Sequence, residues 1–505
     1  MRKTYLLGLD IGPSSCKAPV FTPDGSVVVS ASASYPVYYP ESGWAEQDPE
    51  DWWKGACEAV RGLWESGRVR PEEIAGIGID GQSWAAVAID GDGVVLSRTP
   101  IWMDTRAAGI CDRLNKEIGA DRIFAVAGNR LQPSYTTPKV IWYRENLPEV
   151  YAKTDKILQC NGYLVYKLTG AVTQDICQGY GWHCFDMRNG RWDYEMAREL
   201  SIPASFLPEI VPCDAIVGHV SAEAAAMTGL ATGTPVVAGG LDAACGTLGA
   251  GVLHDGETQE QGGQAGGMSI CTESYRVDPN LILSYHVVPG RWLLQGGTVG
   301  GGGVMRWFEQ QFGAYERSRA SEKGSSFDQL TELAAAVAPG SDGMVFLPYM
   351  SGERSPIWDP DAKGVLYGLD FMKTKGHVVR AMLEGTAFAL RHNLETAERA
   401  GAHVDRMISV GGSANSALWT QIKADVTGKP ITVSRSDTAT TLGAAILAGV
   451  GCGVYASYEE AVQMTARECD EYVPEGGNAA VYDKNYRIYR SLYDNLKGLM
   501  KEEAK

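Results

Sequence analysis

Several patterns that define a functional class are missing from this sequence of 505 residues. Its eleven cysteines form no CxxC pair and its seven histidines form no HExxH motif, so a zinc ribbon or a His-based metal site has no support. No GxxxxGK[ST] segment is present, which excludes a P-loop. No run of about 18 apolar residues occurs, as a membrane-spanning helix would need. We expect the cysteines to be buried free thiols of a reducing compartment.

Positive charge is also scarce, since 45 Lys and Arg residues oppose 61 Asp and Glu residues and the net charge is −16. An acidic surface argues against nucleic acid or a polybasic membrane anchor as a partner. The first residues lack the pattern of a signal peptide, so we expect a cytoplasmic protein. Glycine, in contrast, is abundant with 60 residues, and its clusters mark tight turns or close approach to a ligand.

One plan recurs in the two halves of the chain, in which apolar strands end on a carboxylate or on a glycine-rich turn. The segments with this feature are Tyr5–Ser15, Ile74–Trp84, Pro235–Asp242, Gly262–Cys271, Gly296–Gln311 and Met407–Val426. The repetition predicts an α/β protein of two similar domains with a cleft between them, which we place at residues 1–248 and 249–505.

Two helices are indicated clearly by the sequence. One is predicted from about Pro49 to Ser66, with Asp48 as its cap. The other lies near the C-terminus, where tyrosines recur at spacings of three and four residues from Tyr482 to Tyr493. This spacing predicts a helix that buries one aromatic stripe against a domain.

Two carboxylates have the placement that phosphoryl transfer requires. Asp10 and Asp242 each follow an apolar strand beside a glycine-rich turn, so a rigid scaffold can present them to a ligand. Phosphoryl transfer needs a hard cation on the phosphates and a group that accepts the proton of the attacking hydroxyl. Turns rich in Gly, Ser and Thr offer N–H groups to anions. For each aspartate the residues alone leave two interpretations open, a catalytic group or a cap of its own turn.

Ordered motifs along essentially the whole chain resemble those of the FGGY family of carbohydrate kinases, and within it the xylulose kinases. The segments that carry the resemblance are Gly8–Lys17, Trp44–Trp53, Gly78–Gln82, Ile101–Arg106, Gly239–Gly246, Leu347–Leu369, Gly411–Ser413 and Thr441–Ala445. The most specific part is LPYMSGERSP at Leu347–Pro356. The resemblance implies two actin-like (ribonuclease H-like) ATPase domains that close on ATP, Mg²⁺ and a sugar.

The resemblance also implies roles for individual residues. Asp242 would be the general base on the acceptor hydroxyl, and Asp10 would be the carboxylate near Mg²⁺. The residues expected to bind ATP are Ser14, Lys17, Gly263, Gln264, Gly302, Gly411, Gly412, Asn415 and Ser416. The residues expected around the sugar are Gln82, Ser83, Trp84, Trp102, Asp104 and Asp242.

The chain departs from the family pattern at both phosphate turns and near the sugar. Pro13 and the pair Gln264 and Ala265 stand where hydroxyl residues are usual, and proline removes an N–H donor. Trp84 and Ala243 replace the histidine and the asparagine that xylulose kinases commonly carry. These changes affect which sugar hydroxyls can form hydrogen bonds in the site.

The expected activity is ATP-dependent phosphorylation of a primary hydroxyl of a small ketose, with D-xylulose as the leading acceptor. Other acceptors remain as alternatives: glycerol, ribulose, gluconate, a rarer tetrulose or a hexulose. An alternative from another class is a non-catalytic actin-like ATP-binding paralogue. A small-molecule acceptor is the expected partner, without nucleic acid or membrane, and a homodimer is one assembly left open.

Overall fold

The computed structural model describes residues 4–320, 324–434, 438–466 and 469–503. The strands of the first half are β1 (Tyr5–Ile11), β2 (Ser15–Phe21), β3 (Val27–Ser34), β4 (Glu46–Gln47), β5 (Ile74–Gly81), β6 (Val87–Ile89), β7 (Thr99–Pro100), β8 (Lys156–Leu158), β9 (Thr173–Asp175), β10 (Phe185–Asp186), β11 (Arg191–Trp192), β12 (Glu209–Val211), β13 (Ile216–His219), β14 (Pro235–Val237) and β15 (Gly240–Leu241). Its helices are α1 (Pro49–Glu65), α2 (Ala108–Leu114), α3 (Ala120–Ala127), α4 (Thr136–Asn146), α5 (Pro148–Lys153), α6 (Cys160–Thr169), α7 (Tyr194–Glu199), α8 (Ala222–Thr228) and α9 (Asp242–Gly249).

The second half has fewer and longer elements. Its strands are β16 (Glu257–Gly262), β17 (Gly266–Thr272), β18 (Ile282–Tyr285), β19 (Trp292–Thr298), β20 (Val345–Leu347), β21 (Val365–Tyr367), β22 (Arg406–Val410), β23 (Ile431–Ser434) and β24 (Cys469–Tyr472). Its helices are α10 (Gly302–Phe312), α11 (Ala314–Ser318), α12 (Ser326–Ala335), α13 (Lys375–Arg399), α14 (Ala417–Thr427), α15 (Ala439–Gly451), α16 (Tyr458–Thr465) and α17 (Ala479–Glu503). Short 3-10 turns lie at Pro71–Glu73, Cys177–Gly181, Ala204–Phe206, Ser341–Gly343, Gly412–Asn415 and Gly476–Asn478, and a π turn lies at Asn115–Gly119.

Two seven-stranded sheets have the same internal order. In the first, β1, β2 and β3 form an antiparallel meander, and β5 and β14 extend the sheet in parallel on the other side of β1. In the second, β16, β17 and β19 form the meander, and β22 and β23 extend it in parallel beyond β16. This shared order is the repeated plan that the sequence predicted, and the α/β fold of two actin-like domains is confirmed.

The prediction of one continuous strand over Pro235–Asp242 is wrong. The chain breaks into β14 and β15 at Gly239, which has a positive φ of 72°. A Cβ there would lie 1.9 Å from the carbonyl oxygen of Ile79, so only glycine fits against β5. Asp242 consequently does not end a strand but is the first residue of α9.

Glycine-lined helices bring the two halves into backbone contact. The helix α15 lies on β1 and β5 of the first sheet, and α9 packs against α15. A Cβ on Gly443 would lie 1.9 Å from the carbonyl oxygen of Cys245, and one on Gly8 would lie 2.2 Å from that of Thr441. Since a helix from the second half covers the first sheet, the division at residues 248 and 249 stays a prediction.

Other expectations can be compared directly with the structure. The helix α1 ends one residue earlier than predicted, and the carboxylate of Asp48 caps it by accepting from Glu50 N at 2.9 Å. The C-terminal helix buries Tyr482, Tyr486 and Tyr489, as its spacing predicted. Nine of the ten cysteines whose side chains the structure describes are buried, and the side chain of Cys469 lies outside the described part. None of the described helices is long and apolar enough to cross a membrane.

Candidate active site

Three aspartates from separate segments meet where the two halves face each other. Asp10 lies near the end of β1, and Asp80 is its register partner on the parallel strand β5. Asp242 follows β15, which pairs with the end of β5. Asp80 is 0% exposed and Asp10 is 8% exposed, whereas Asp242 is partly exposed to the cleft. The ends of these strands therefore place three carboxylates on one small area.

Burial raises the pKa of all three carboxyl groups, and the charge of Asp10 adds to this effect at Asp80 and Asp242. The charge of Asp10 raises the pKa of Asp80 well above its ordinary value and contributes to raising that of Asp242 to about 7. Lys17 opposes the rise in the pKa of Asp10, because its Nζ lies 3.7 Å from that carboxylate. A carboxylate with a pKa near 7 is suited to accept a proton at neutral pH.

Asp80 is a residue that our sequence reasoning missed as part of the site. The carboxyl group of Asp80 shares a hydrogen bond with that of Asp10, and its oxygens accept none from any other described residue. A buried carboxylate with so few partners is costly, and carboxylate oxygens are the ligands that Mg²⁺ prefers. The residues present at this point thus fit a divalent cation. The sequence signal was a carboxylate ending a second buried strand, which becomes meaningful only when β5 is known to pair with β1.

A cavity of about 340 Å³ lies over the aspartates, and we call it the phosphate cavity. Five of the predicted site residues line it, namely Asp10, Ser14, Lys17, Asp242 and Gly411. They come from the first turn, from α9 and from the turn after β22, three segments that are far apart in the sequence. The structure therefore brings the first predicted phosphate turn and the predicted adenosine turn to the same side of Asp242.

A second cavity of about 400 Å³ opens beside the first and also includes Asp242; we call it the acceptor cavity. The predicted sugar residues Ser83, Trp84 and Trp102 line it. The hydroxyl of Tyr180 donates to Ser83 Oγ at 3.0 Å. Aromatic faces and hydroxyl groups around one carboxylate suit a small polyhydroxylated ligand.

Trp84 is held in an unusual conformation at the wall of the acceptor cavity. Its φ is 61°, and its indole stacks on Tyr135 with ring centroids 4.2 Å apart. The buried Nζ of Lys139 donates to the carbonyl oxygens of Trp84 and Ile101, both at 2.8 Å. Burial lowers the pKa of Lys139 to about 7. The indole Nε1 is buried and has no hydrogen-bond partner among the described residues.

Two other predicted sugar residues lie inside the protein, outside the set that lines the acceptor cavity. Gln82 donates to the side chain of Gln47 at 2.7 Å, and Gln47 in turn donates to the carbonyl oxygen of Pro13 at 2.9 Å. Asp104 is fully buried, with its carboxylate 2.7 Å from the guanidinium of Arg106. Gln82 thus stabilises the turn between β1 and β2 through Gln47, and Asp104 stabilises the loop that carries Arg106. A direct contact of either residue with the sugar stays a prediction.

The remaining predicted ATP residues lie on turns of the second half. Gly263 and Gln264 form the hairpin between β16 and β17, and they line the acceptor cavity. The carbonyl oxygen of Gly263 accepts from Gly302 N at 2.8 Å, which fixes this hairpin to the start of α10. Gly412 and Asn415 belong to an exposed 3-10 turn before α14.

Ser416 and Gly302 complete the predicted set. The side chain of Ser416 caps α14 by accepting from Trp419 N at 3.3 Å. Gly302 lines a cavity of about 30 Å³ that is separate from the two larger ones. The assignment of these turn residues to the nucleotide stays a prediction.

Residues that our sequence reasoning had not placed in the site also line the acceptor cavity, and among them are Tyr180, Arg354, Ser355 and Trp358. The loop that carries Arg354 is fixed through Glu353, which accepts from Thr298 Oγ1 at 2.6 Å and from Val299 N at 2.9 Å. Arg354 and Ser355 belong to the most specific motif, so the sequence contained a signal for them. Tyr180 lies in an irregular 3-10 turn and had none.

Comparison with known proteins identifies the family. Residues 5–249 match the N-terminal domain of the FGGY family of carbohydrate kinases, and residues 272–452 match its C-terminal domain. The chain belongs to this family of carbohydrate kinases. The predicted enzyme class, a sugar kinase, is therefore confirmed.

Named relatives of this carbohydrate kinase act on different acceptors. It is 30% identical over 497 residues to the xylulose kinase of Bacillus subtilis (strain 168), with 98% of each chain covered. It is 29% identical over 504 residues to the gluconokinase of the same organism, with 99% of this chain and 97% of the other covered. The structure of xylulose kinase from Rhodospirillum rubrum matches with a TM-score of 0.89 at 31% identity, covering 98% of this chain and 100% of that one. Similarity alone thus does not separate the acceptors.

Proposed function

We propose that this kinase transfers the γ-phosphoryl group of ATP to a primary hydroxyl of a small ketose, with D-xylulose as the leading acceptor. The observation that supports the transfer is the position of Asp242 at the junction of the phosphate cavity and the acceptor cavity. The names of the xylulose kinases at about 30% identity support the choice of acceptor.

In the proposed reaction the oxygen of the acceptor hydroxyl attacks the γ-phosphorus while Asp242 accepts the proton of that hydroxyl. ADP leaves with the electrons of the broken P–O bond. The partly exposed carboxylate reaches both cavities, and Ala243 N fixes it by donating to Oδ1 at 2.6 Å. Lys17 and the N–H groups of the first turn would bind the phosphates. Trp84 and Ser83 would orient the acceptor.

The residues around Asp10 fit Mg²⁺, because Asp10 and Asp80 are adjacent carboxyl groups and no described residue other than Asp10 hydrogen-bonds to Asp80. When bound, Mg²⁺ would neutralise charge on the phosphates of ATP. Asp10 would hold it directly or through water, since Asp10 lines the phosphate cavity.

Gluconate is a second candidate acceptor, and one feature of the acceptor cavity favours it. Arg354 lines this cavity, and its guanidinium lies over Gly297, where a Cβ would be only 2.9 Å from it. A guanidinium suits a carboxylate, which gluconate has and D-xylulose lacks. The gluconokinase relative at 29% identity points the same way.

A coupled assay of ADP release across a panel of acceptors tests the proposal. The panel contains D-xylulose, ribulose, glycerol, gluconate, a tetrulose and a hexulose, and kcat/KM is compared among them. The highest value for D-xylulose would support the proposal, and the highest value for gluconate would select the second candidate. ATP binding without turnover of any acceptor would contradict the proposal and favour a non-catalytic paralogue. Arg354→Gln separates the two candidates further, because it should reduce turnover of gluconate more than that of D-xylulose.

A further inference from the structure

A polar cavity of about 350 Å³ lies outside the cleft, between α13 and α17, and we call it the rear pocket. Its ionisable lining consists of His392 and Arg399 from α13 and of Arg490, Asp494 and Lys497 from α17. None of them belongs to the site described above. Three cationic side chains against one carboxylate give the rear pocket a positive charge on a protein whose net charge is −16.

Within the described part of the chain, the two guanidinium groups of the rear pocket have only neutral hydrogen-bond partners. Arg399 donates to Thr396 Oγ1 at 2.8 Å, and Arg490 lies 3.4 Å from the hydroxyl of Tyr486. Among the described residues no carboxylate forms an ion pair with either arginine. Lys497, in contrast, is 3.3 Å from the carboxylate of Asp494. The charge of the pocket is thus only partly compensated by the protein itself.

His392 shows that the two arginines converge. Its imidazole is only 7% exposed, and burial, together with the charges of Arg490 and Arg399, lowers its pKa to about 3. Both guanidiniums are therefore close enough to disfavour a proton on the same ring. A neutral imidazole can still donate one N–H to a ligand.

Two guanidiniums and an imidazole around one polar cavity match the chemistry of a phosphate group. Arginine presents paired N–H donors that fit phosphate oxygens, and such charge-assisted bonds are about twice as strong as neutral ones. We propose that the rear pocket binds the dianionic phosphate group of a small molecule, at a site distinct from the cleft. The phosphate can come from inorganic phosphate or from a phosphate ester, and the test separates these sources.

The rear pocket shares a loop with the acceptor cavity. Pro356 and Ile357 line the rear pocket, while Ser355 and Trp358, on either side of them, line the acceptor cavity. A ligand that contacts this loop from behind is therefore placed to alter the position of Trp358. We expect an occupied rear pocket to change the KM for the acceptor sugar.

Calorimetric titration of the full-length protein with inorganic phosphate and with glycerol 3-phosphate tests the site. The titrations are made in the presence of saturating Mg²⁺ and ADP, so that nucleotide phosphate contacts in the cleft are already occupied. The test variant is Arg399→Gln with Arg490→Gln, and the matched control is Arg487→Gln, an exposed arginine on the same helix that does not line this pocket.

We expect the double variant to bind at least about tenfold more weakly than the parent, and the control variant to bind like the parent. Tighter binding of glycerol 3-phosphate than of phosphate would identify an ester as the ligand, and equal binding would identify free phosphate. Absence of binding to the parent, or equal affinities of parent and double variant, would overturn the proposal.

Three further measurements test the chemistry of recognition, the location of the anion and its link to the acceptor cavity. Arg490→Lys keeps the charge but loses the paired donors, so it should bind with intermediate affinity; parent-like affinity would contradict recognition by the guanidinium. In the parent, adding the acceptor to Mg²⁺ and ADP must leave phosphate binding in place, and its loss would place the anion in the cleft. A KM for the acceptor that does not respond to the bound anion would refute the link through the shared loop.

Discussion

Asp80→Asn should make the metal-free protein more stable, although it removes a fully buried native side chain. Asp10 and Asp80 are register partners on adjacent parallel strands, whose spacing is about 4.8 Å. Two unit charges about 5 Å apart repel each other by about 3 kcal/mol at an effective dielectric constant of 20. The raised pKa of Asp80 means that the folded protein protonates this carboxyl and so avoids part of the repulsion, but the protonation itself lowers the stability of the fold at neutral pH. We therefore expect a gain of about 1–3 kcal/mol in the free energy of unfolding.

The assay is thermal unfolding of parent and variant in EDTA, and again with Mg²⁺ and ADP. A gain of 1 kcal/mol corresponds to a rise of about 2–4 °C in Tm for domains of 150–250 residues. The parent should gain more from Mg²⁺ and ADP than the variant, because the bound cation offsets a repulsion that Asp80→Asn has already removed. Asp112→Asn, at an exposed position on α2, is the control and should change neither value.

A variant less stable than the parent in EDTA would refute the reasoning. That result would mean that Asp80 has favourable partners in the folded protein and serves the fold alone. An equal response of parent and variant to Mg²⁺ and ADP would separately remove Asp80 from the cation site.

Three other predictions concern the two cavities. Because burial raises the pKa of Asp242 to about 7 and the base must be ionised, kcat/KM should rise with pH through about 7 and fall below it; a pH profile flat from 5.5 to 8 would contradict this. Lys139→Met leaves the carbonyl oxygens of Trp84 and Ile101 without their donor, at a cost of about 1–3 kcal/mol each. Thermal unfolding should therefore show a lower Tm, and steady-state kinetics should show a higher KM for the acceptor. Gln264→Thr places a hydroxyl on the hairpin between β16 and β17, so it should increase the affinity for a non-hydrolysable ATP analogue, measured by calorimetry without the acceptor. An unchanged affinity would show that the side chain at this position does not contact the phosphates.

The sequence was sufficient for elements whose local pattern agrees with their tertiary role. Strand β1 was predicted near its observed position because an apolar run precedes a carboxylate and a glycine-rich turn, and α1 because Asp48 precedes a proline and an apolar face. The aromatic stripe of α17 followed from spacing alone. In these cases one local signal decides the conformation.

Features that depend on long-range contact could not be predicted in this way. The break at Gly239 results from the approach of Ile79, which is 160 residues earlier. The positive φ of Trp84 depends on Lys139 and Tyr135, and neither belongs to a motif. For the site, motif resemblance located Asp10, Ser83 and Asp242 around the cavities, whereas Asp80 became visible only through strand pairing.

The measurement that tests the central claim most directly is single-turnover and steady-state kinetics of Asp242→Asn. The amide has nearly the shape of the carboxylate but cannot accept the hydroxyl proton, so kcat should fall by roughly 10²–10⁴. Calorimetry should show that the variant still binds ATP and the acceptor with affinities close to those of the parent. A variant with near-normal kcat at unchanged KM would contradict the assignment of Asp242 as the base between the two cavities.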